Sequence, residues 1–423
     1  MSHRDSAEIL FIAPQLPTPL DTGGKIRTFY QLKALASRYR VDLLALGPEA
    51  EAPDPLWEGL RASLRSVSCV PRDGLGRAGA ARAAARSLLG SLPYPVEKYR
   101  SEAASAAIAR MTSESRYLAA HFDSLHTFRF AEFVAPPTRL VLDEHNVEAL
   151  ILERMGQVEP SRIKRRLIAD QAERTDRFER RCALAAHRVL LCSEDDRALL
   201  SARTGRSAGF EVIPNGVDLS RFAPAGAIED AGGASGEAGR EGRYAMFLGS
   251  LDWWPNSDGI SWFIKEIWPK VRALDPSLGL KVVGRNPSAE LEGMGGGGVE
   301  IVGGVPDVRP WMRGCSVFVV PLRVGGGTRL KILEAMAMGA PIVSTALGCE
   351  GIEASAGEDL LVEDSPEGFA EAVVKVGGDE RLQRALADAG RRLVERRYSW
   401  EAIGARLGEV YASLAGEVDG LVG

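Results

Sequence analysis

Gly325, Gly326 and Gly327 stand directly before Thr328, Arg329, Lys331 and Glu334. A backbone without Cβ atoms lets an anion approach the peptide N–H groups closely. Thr328 is a good helix N-cap, and the free N–H groups of a first helical turn attract negative charge. With Thr328 as the cap, Arg329 and Lys331 fall in that first turn, at the positive end of the helix dipole. Cations there are unfavourable by about 0.3–1 kcal/mol each. A bound diphosphate would reverse that sign. Glu334 lies three residues after Lys331 on the same helix face and could accept hydrogen bonds from two ribose hydroxyls. The competing reading is a surface pair between Glu334 and Lys331.

The elements that must hold these residues are legible around them. Val317–Val320 is wholly apolar and ends at Pro321, as a strand buried in a parallel sheet does. Leu330, Leu333, Met336 and Ala337 recur at helical spacing, and Gly339 and Pro341 stop the helix. Strand, glycine loop and helix N-terminus in this order form the place where open α/β sheets bind ligands.

Other candidates lie at similar positions. Gly23, Gly24, Lys25 and Arg27 follow the first strand and precede a helix expected over Thr28–Arg38. His126 follows a strand expected over Tyr117–Leu125. His145 and Asn146 follow the strand Arg139–Asp143, and either histidine could instead be a packed or turn residue. Gly249 ends the strand Tyr244–Leu248, and Trp253, Trp254 and Pro255 beyond it could line a pocket or pack in the core. Gly284, Arg285 and Val305-Pro306 lie at strand ends where a nucleotide base could rest.

Several reaction classes find no support. There is no D-x-D, no H-E-x-x-H and no Cys/His spacing for a metal. A G-x-G-x-x-G after the first strand and a G-x-x-x-x-G-K-[ST] loop are also missing. The net charge of −5 argues against simple nucleic-acid binding. The five cysteines, Cys69, Cys182, Cys192, Cys315 and Cys349, are scattered, which fits a reducing, cytoplasmic setting. The apolar run Ile9–Ala13 is short for a secretion signal, and no run approaches the about 18 residues of a membrane span. Peripheral attachment to the inner face of a membrane stays open. Residues 160–188 hold nine Lys/Arg that could meet anionic lipid. Glu173 with Arg177 and Asp176 with Arg180 have the i,i+4 spacing of a solvated helix, which is the favoured reading.

The 423 residues suggest two or three domains. Strands are expected at Glu8–Ala13, Val41–Leu46, Tyr117–Leu125, Arg139–Asp143, Arg188–Cys192 and Phe210–Pro214, with residues 53–115 mostly helical. The Gly/Ala/Glu-rich stretch 223–243 reads as a linker. Beyond it the pattern restarts at Tyr244–Leu248, Leu280–Val283, Val299–Val302, Val317–Val320, Pro341–Ser344 and Leu360–Val362. The fold class is α/β, with two Rossmann-like, doubly wound parallel-sheet domains facing a cleft. Their bounds are 1–222 and 244–398, and an amphipathic helix over 399–423 could cross back to the first domain.

The motifs FLGSLDWWPN, VVGRNP, VPLRVGGGTRLKILEAMAMGAPIVST and RRYSW, with SEDD…VIPNGVD in the first half, resemble the family-4 retaining glycosyltransferases of the GT-B fold. The resemblance covers nearly the whole length. It implies a nucleotide-diphosphate sugar donor held by the second domain and an acceptor held by the first. It also implies retention of anomeric configuration and no metal or other cofactor. UDP-sugar is the first choice of donor and GDP-sugar the second. Glu334 then matches the second Glu of the family's E-x7-E motif, on the ribose, while the first falls on Gly326. Donor contacts would then come from the N–H groups of Gly326, Gly327 and Thr328, beside Leu330. The family's diphosphate cations are absent after Gly249, so Arg329 and Lys331 stand as their replacements. The family's catalytic-region His falls on His126, or on Phe128 if the alignment slips by two, with His145 as alternative. His145 and Asn146 are expected on the acceptor. A sugar-nucleotide epimerase and a non-catalytic nucleotide-sugar-binding protein are the competing functions. Neither oligomeric state nor acceptor identity follows from the sequence.

Overall fold

The computed structural model describes residues 7–49, 54–73, 76–224, 242–326 and 329–422. It divides into two units, Met1–Pro214 with Glu401–Gly423, and Asn215–Trp400. The first unit thus ends at Pro214 rather than at residue 222, because Val217 already pairs with Ser399 and donates its N–H to the Tyr398 carbonyl at 2.8 Å. Most of the expected linker, residues 225–241, lies outside the described residues.

The first unit carries strands β1 (Glu8–Ala13), β2 (Arg40–Leu46), β3 (Ser66–Val70), β4 (Tyr117–Asp123), β5 (Arg139–Glu144), β6 (Arg188–Leu191) and β7 (Phe210–Val212). They form one parallel sheet in the order β3-β2-β1-β4-β5-β6-β7. The order reverses between β1 and β4, so the crevice of this unit opens beyond those two strands. Strand β3 lies inside the stretch expected to be helical. Its sequence SVSCV alternates polar and apolar residues on a half-buried edge strand, a weak signal amid alanine-rich helices.

The C-terminal helix Trp400–Val422 belongs to this first unit. The Tyr411 hydroxyl lies 2.7 Å from His121 Nδ1, and the His121 ring stacks on Phe11 with centroids 4.2 Å apart. Gly404 permits the approach to the helix Gly23–Ala36, since a Cβ there would lie 2.9 Å from Ala34 Cβ.

The second unit carries β8 (Tyr244–Leu248), β9 (Gly279–Val283), β10 (Val299–Gly303), β11 (Val317–Val320), β12 (Ile342–Ser344) and β13 (Leu361–Val362). All pair in parallel, in the order β10-β9-β8-β11-β12-β13, with the reversal between β8 and β11. Strand β11 explains its own sequence. Phe318 and Val320 face a core with Ile332, Leu333 and Met336, whereas Val317 and Val319 face one with Phe369 and Val373. With helices over both faces, no polar alternation remains.

Candidate active site

In the second unit the switch point gathers Gly249, Gly284, the glycine loop after β11 and the helix Leu330–Ala337. Gly249 donates its N–H to Val283 O at 3.1 Å, and Gly284 donates to Gly303 O at 2.8 Å. A Cβ on Gly284 would overlap the Gly249 carbonyl, so the two loop backbones pack directly. Gly284→Ala is expected to cost about 1–3 kcal/mol by overpacking. Urea unfolding midpoints of wild type and variant check this.

Lys331 is the centre of this cluster. Its Nζ donates to Asn256 Oδ1 at 2.7 Å and lies 4.7 Å from the centroid of the Phe247 ring. A Cβ on Gly249 would come within 2.9 Å of the same Nζ, so the glycine makes room for the ammonium. Burial, with the charge of Arg329 added, pulls the Lys331 pKa down to about 7. Glu334, half-buried on the same helix, is pushed up to about 7 by burial, against the pull of Arg221 and Lys331. No hydrogen bond or ion pair joins Lys331 to Glu334 among the described residues. Each is instead held where its charged form is disfavoured.

The helix starts one residue later than its sequence suggests. Arg329 occupies the N-cap with extended backbone, Leu330 is the first helical residue and Lys331 the second. The Arg329 guanidinium turns back, donating from Nη1 to the Gly326 carbonyl and packing over Gly325. Gly325 has φ +138°, a conformation that glycine alone adopts without strain. Gly327 and Thr328 lie outside the described residues. Leu330 and Val305 pack partly buried against the core. Arg285 accepts at its carbonyl from the Leu251 N–H at 3.0 Å, which ties the loops after β8 and β9 together. Trp253 and Trp254 are exposed, at 52% and 37%, so core packing does not explain them.

In the first unit, Gly23 and Gly24 form the first turn of the helix Gly23–Ala36 rather than a loop before it. Thr22 is the cap, accepting from the Lys25 N–H at 3.4 Å. Arg27 is not poised for an external anion. It is 1% exposed, donates to Asp143 Oδ2 at 2.8 Å from Nε, and donates to the Ile213 carbonyl at 2.9 Å. Gln31 also donates to Asp143, at 3.1 Å.

His145 completes this network. Its Nε2 lies 2.6 Å from Asp123 Oδ1 and 3.2 Å from Asp143 Oδ2. Thr28 donates to Asp123 Oδ2 at 2.6 Å. Burial opposes protonation, but Asp123 and Asp143 outweigh it and raise the His145 pKa to about 10. The Asp143 carboxyl is resisted by burial too, yet Arg27 and His145 hold it well below the usual carboxylate range. His145 is therefore a fixed cation, and its ring backs onto Gly24, where a Cβ would lie 3.6 Å from Nδ1. His126 is its opposite. Burial, Lys98 and His145 lower its pKa to about 3, so it is neutral, 3.2 Å from Ser124 Oγ and against the Tyr99 ring. Phe128 is a core residue packed edge-on to Phe122. Asn146 Nδ2 approaches Glu148 Oε1 at 3.5 Å.

The Arg27–Asp143–His145–Asp123 network escaped the sequence reading. A signal existed, because β4 and β5 end in HFD and LDE, polar residues at the C-terminal ends of buried parallel strands. Among the described residues, His121, Asp123 and Asp143 have ligand-type atoms within 4.8 Å of one another. Arg27 and charged His145 already balance the two carboxylates there, which leaves no excess negative charge for a divalent ion.

The two switch-point sheets give the same topology as known sugar-transfer enzymes. The sucrose-phosphate synthase of Thermosynechococcus elongatus superposes with TM-score 0.71 at 20% identity, over 97% of this chain and 100% of that one. HepE of Anabaena, in complex with UDP and glucose, superposes with TM-score 0.66 at 16% identity, over 96% and 100%. Residues 242–379 match the model for glycosyl transferases of group 1. Residues 242–379 are thus related to the group 1 glycosyl transferases, and the chain shares the fold of these solved structures.

Among the proteins similar in sequence to this chain is the phosphatidyl-myo-inositol mannosyltransferase of Mycolicibacterium smegmatis. The two are 30% identical over 213 residues, which is 48% of this chain and 52% of that protein. A GDP-mannose-dependent monoacylated alpha-(1-6)-phosphatidylinositol monomannoside mannosyltransferase of Corynebacterium glutamicum is 27% identical over 222 residues, 49% and 58% respectively. The chain spans about half the length of these sequence relatives. No helix among the described residues is long and apolar enough to cross a membrane.

Proposed function

We propose that this chain transfers a sugar from a nucleotide-diphosphate sugar to a hydroxyl acceptor, with retention of configuration. The observation that carries the reading is Lys331, a half-buried lysine of lowered pKa, held by Asn256 over the gap that Gly249 leaves at the switch point. The donor diphosphate lies against Lys331, Arg329 and the N–H groups around Gly326, and Glu334 takes the ribose hydroxyls. As the bond from the anomeric carbon to the leaving diphosphate oxygen breaks, negative charge grows on that phosphate, where Lys331 stabilises it. The acceptor oxygen bonds to the anomeric carbon from the same face and gives its proton to the departing phosphate. His145, whose pKa is raised to about 10, is a cation at neutral pH and cannot take a proton. His126 is neutral and is the candidate to contact the acceptor. UDP-sugar is the first choice of donor, supported by the likeness to HepE with UDP, and GDP-sugar the second, supported by the GDP-mannose-dependent relative.

The test is thermal stability of the chain with UDP, GDP, ADP and dTDP. A ligand at 100 times its Kd raises stability by about 2.7 kcal/mol. Stabilisation by one nucleotide, weakened in Lys331→Met, supports the reading, and no response to any of the four overturns it. Release of nucleoside diphosphate only on adding an acceptor would separate transfer from epimerisation or simple binding.

Affinity for that nucleotide is expected to peak near pH 7. Above about 7 the Lys331 ammonium, whose pKa is lowered to about 7, loses its proton and its pull on the diphosphate. Below about 7 the Glu334 carboxyl, raised to about 7, gains a proton and accepts fewer ribose hydrogen bonds. Calorimetric Kd values from pH 5.5 to 9 should trace a bell whose alkaline limb vanishes in Lys331→Met; the window brackets those two pKa values by about two units.

A further inference from the structure

The motif FLGSLDWWPN, residues 247–256, meets Lys331 three times. Phe247, buried on β8, has its ring centroid 4.7 Å from the ammonium. Gly249 leaves open a space where a Cβ would come within 2.8 Å of the Asn256 amide and 2.9 Å of Lys331 Nζ. Asn256, 8% exposed in the first turn of the helix Trp254–Trp262, accepts from Nζ at 2.7 Å through Oδ1. The other end of its amide is fixed too. Nδ2 donates to the Ser250 carbonyl at 3.0 Å, so Oδ1 is the atom that faces the ammonium.

What holds Lys331 is therefore neutral. Among the described residues its ammonium makes no second hydrogen bond and no ion pair. A carboxylate in place of the amide would hold it more strongly. The carboxylates nearby are engaged elsewhere or stand apart. Asp252 accepts from Asn286 Nδ2 at 2.9 Å, and Asp258 is paired with Arg323 at 2.7 Å. Glu334 favours the charged form of Lys331 and Arg329 disfavours it, but neither touches it. Strands β8 and β11 carry no charged side chain. The ammonium is thus fixed in place with no counter-charge upon it.

We propose that Asn256 is a positioning residue for sugar transfer, whose neutral amide fixes the Lys331 ammonium for the donor diphosphate without neutralising it. The inference rests on the glycosyltransferase reading and names the residue through which Lys331 is made to serve it. An amide fits this task better than a carboxylate or a hydrocarbon. A carboxylate 2.7 Å from Nζ would cancel the charge that the diphosphate needs, and its own charge would repel the phosphates. A hydrocarbon at the same place would leave the ammonium without its acceptor and raise the cost of its charge.

The test is the calorimetric Kd of UDP, GDP, ADP and dTDP for the full chain, from about pH 5.5 to 10, a range that spans the alkaline limb and its displacement. Asn256→Asp and Asn256→Leu stand beside wild type, each with its urea unfolding curve. Asn256→Asp keeps the shape and adds a charge. At about pH 6 it should weaken binding of the preferred nucleotide about tenfold, the scale of one charge-assisted hydrogen bond. It should also move the alkaline limb up by about one to three pH units, because an opposite charge favours the ammonium. Asn256→Leu removes the acceptor, and it should weaken binding but move the limb to lower pH. A purely structural asparagine would give no such opposite displacements, and either variant alone decides if the other fails to fold. In a Lys331→Met background, Asn256→Leu should add little to the loss, because the amide acts through the ammonium. A limb that stays at its wild-type position in a folded variant, or losses that add in the double variant, overturns the inference and leaves the donor reading intact. No binding of any of the four nucleotides by wild type overturns the donor reading and this inference with it.

Discussion

Lys331→Met is expected to lower kcat/KM by about 10²–10³, the usual loss on removing one preorganised group that meets developing negative charge. The folded chain should not suffer for it. Methionine keeps the apolar stem against Phe247 and removes an ammonium that burial holds at a pKa of about 7. Below pH 7 that ammonium is charged in both folded and unfolded chains, so the folded state bears its whole desolvation cost. The unfolding midpoint of Lys331→Met at pH 6 should therefore equal or exceed that of wild type. Steady-state kinetics beside urea unfolding at pH 6 check both halves. A variant that loses activity only in proportion to lost stability would mean that Lys331 is structural, and the diphosphate site would have to be sought elsewhere.

The second large effect lies in the first unit. Asp143→Asn is expected to destabilise the chain by about 3–5 kcal/mol, as breaking a buried pair does when it leaves the partner charge uncompensated. Asp143 and Arg27 are 0% and 1% exposed, so water cannot replace either partner. Substituting both, Arg27→Met with Asp143→Leu, should cost much less than the sum of the single changes.

The pH dependence follows with a definite sign. Asp143 has a folded pKa held below its ordinary value, so its contribution is present above pH 4 and fades as acid protonates it. His145 has its pKa raised from 6.5 to about 10, so its contribution is full below 6.5 and is lost as pH rises through 10. The difference in unfolding free energy between wild type and His145→Gln should shrink between those two values. A difference that stays flat across that range would mean that His145 is neutral in the folded chain.

The sequence by itself determined most of the strands and marked Lys331 and Glu334 as the candidate donor end. Wholly apolar runs such as VFVV and EILFIA read as buried parallel strands, because sheets covered on both faces allow no polar alternation. Lys331 and Glu334 were legible because a cation in the first turn of a helix, after a glycine loop, is locally unfavourable and calls for an anion. Local physics suffices where residues near in sequence act together.

Tertiary structure decided what depends on residues far apart. Arg27 reads as a second anion ligand in the sequence but is bound to Asp143, 116 residues later. His145 is a cation and His126 neutral because of which side chains surround them, not because of where they fall in the chain. Charge state follows burial and neighbours, and neither is a property of the local sequence.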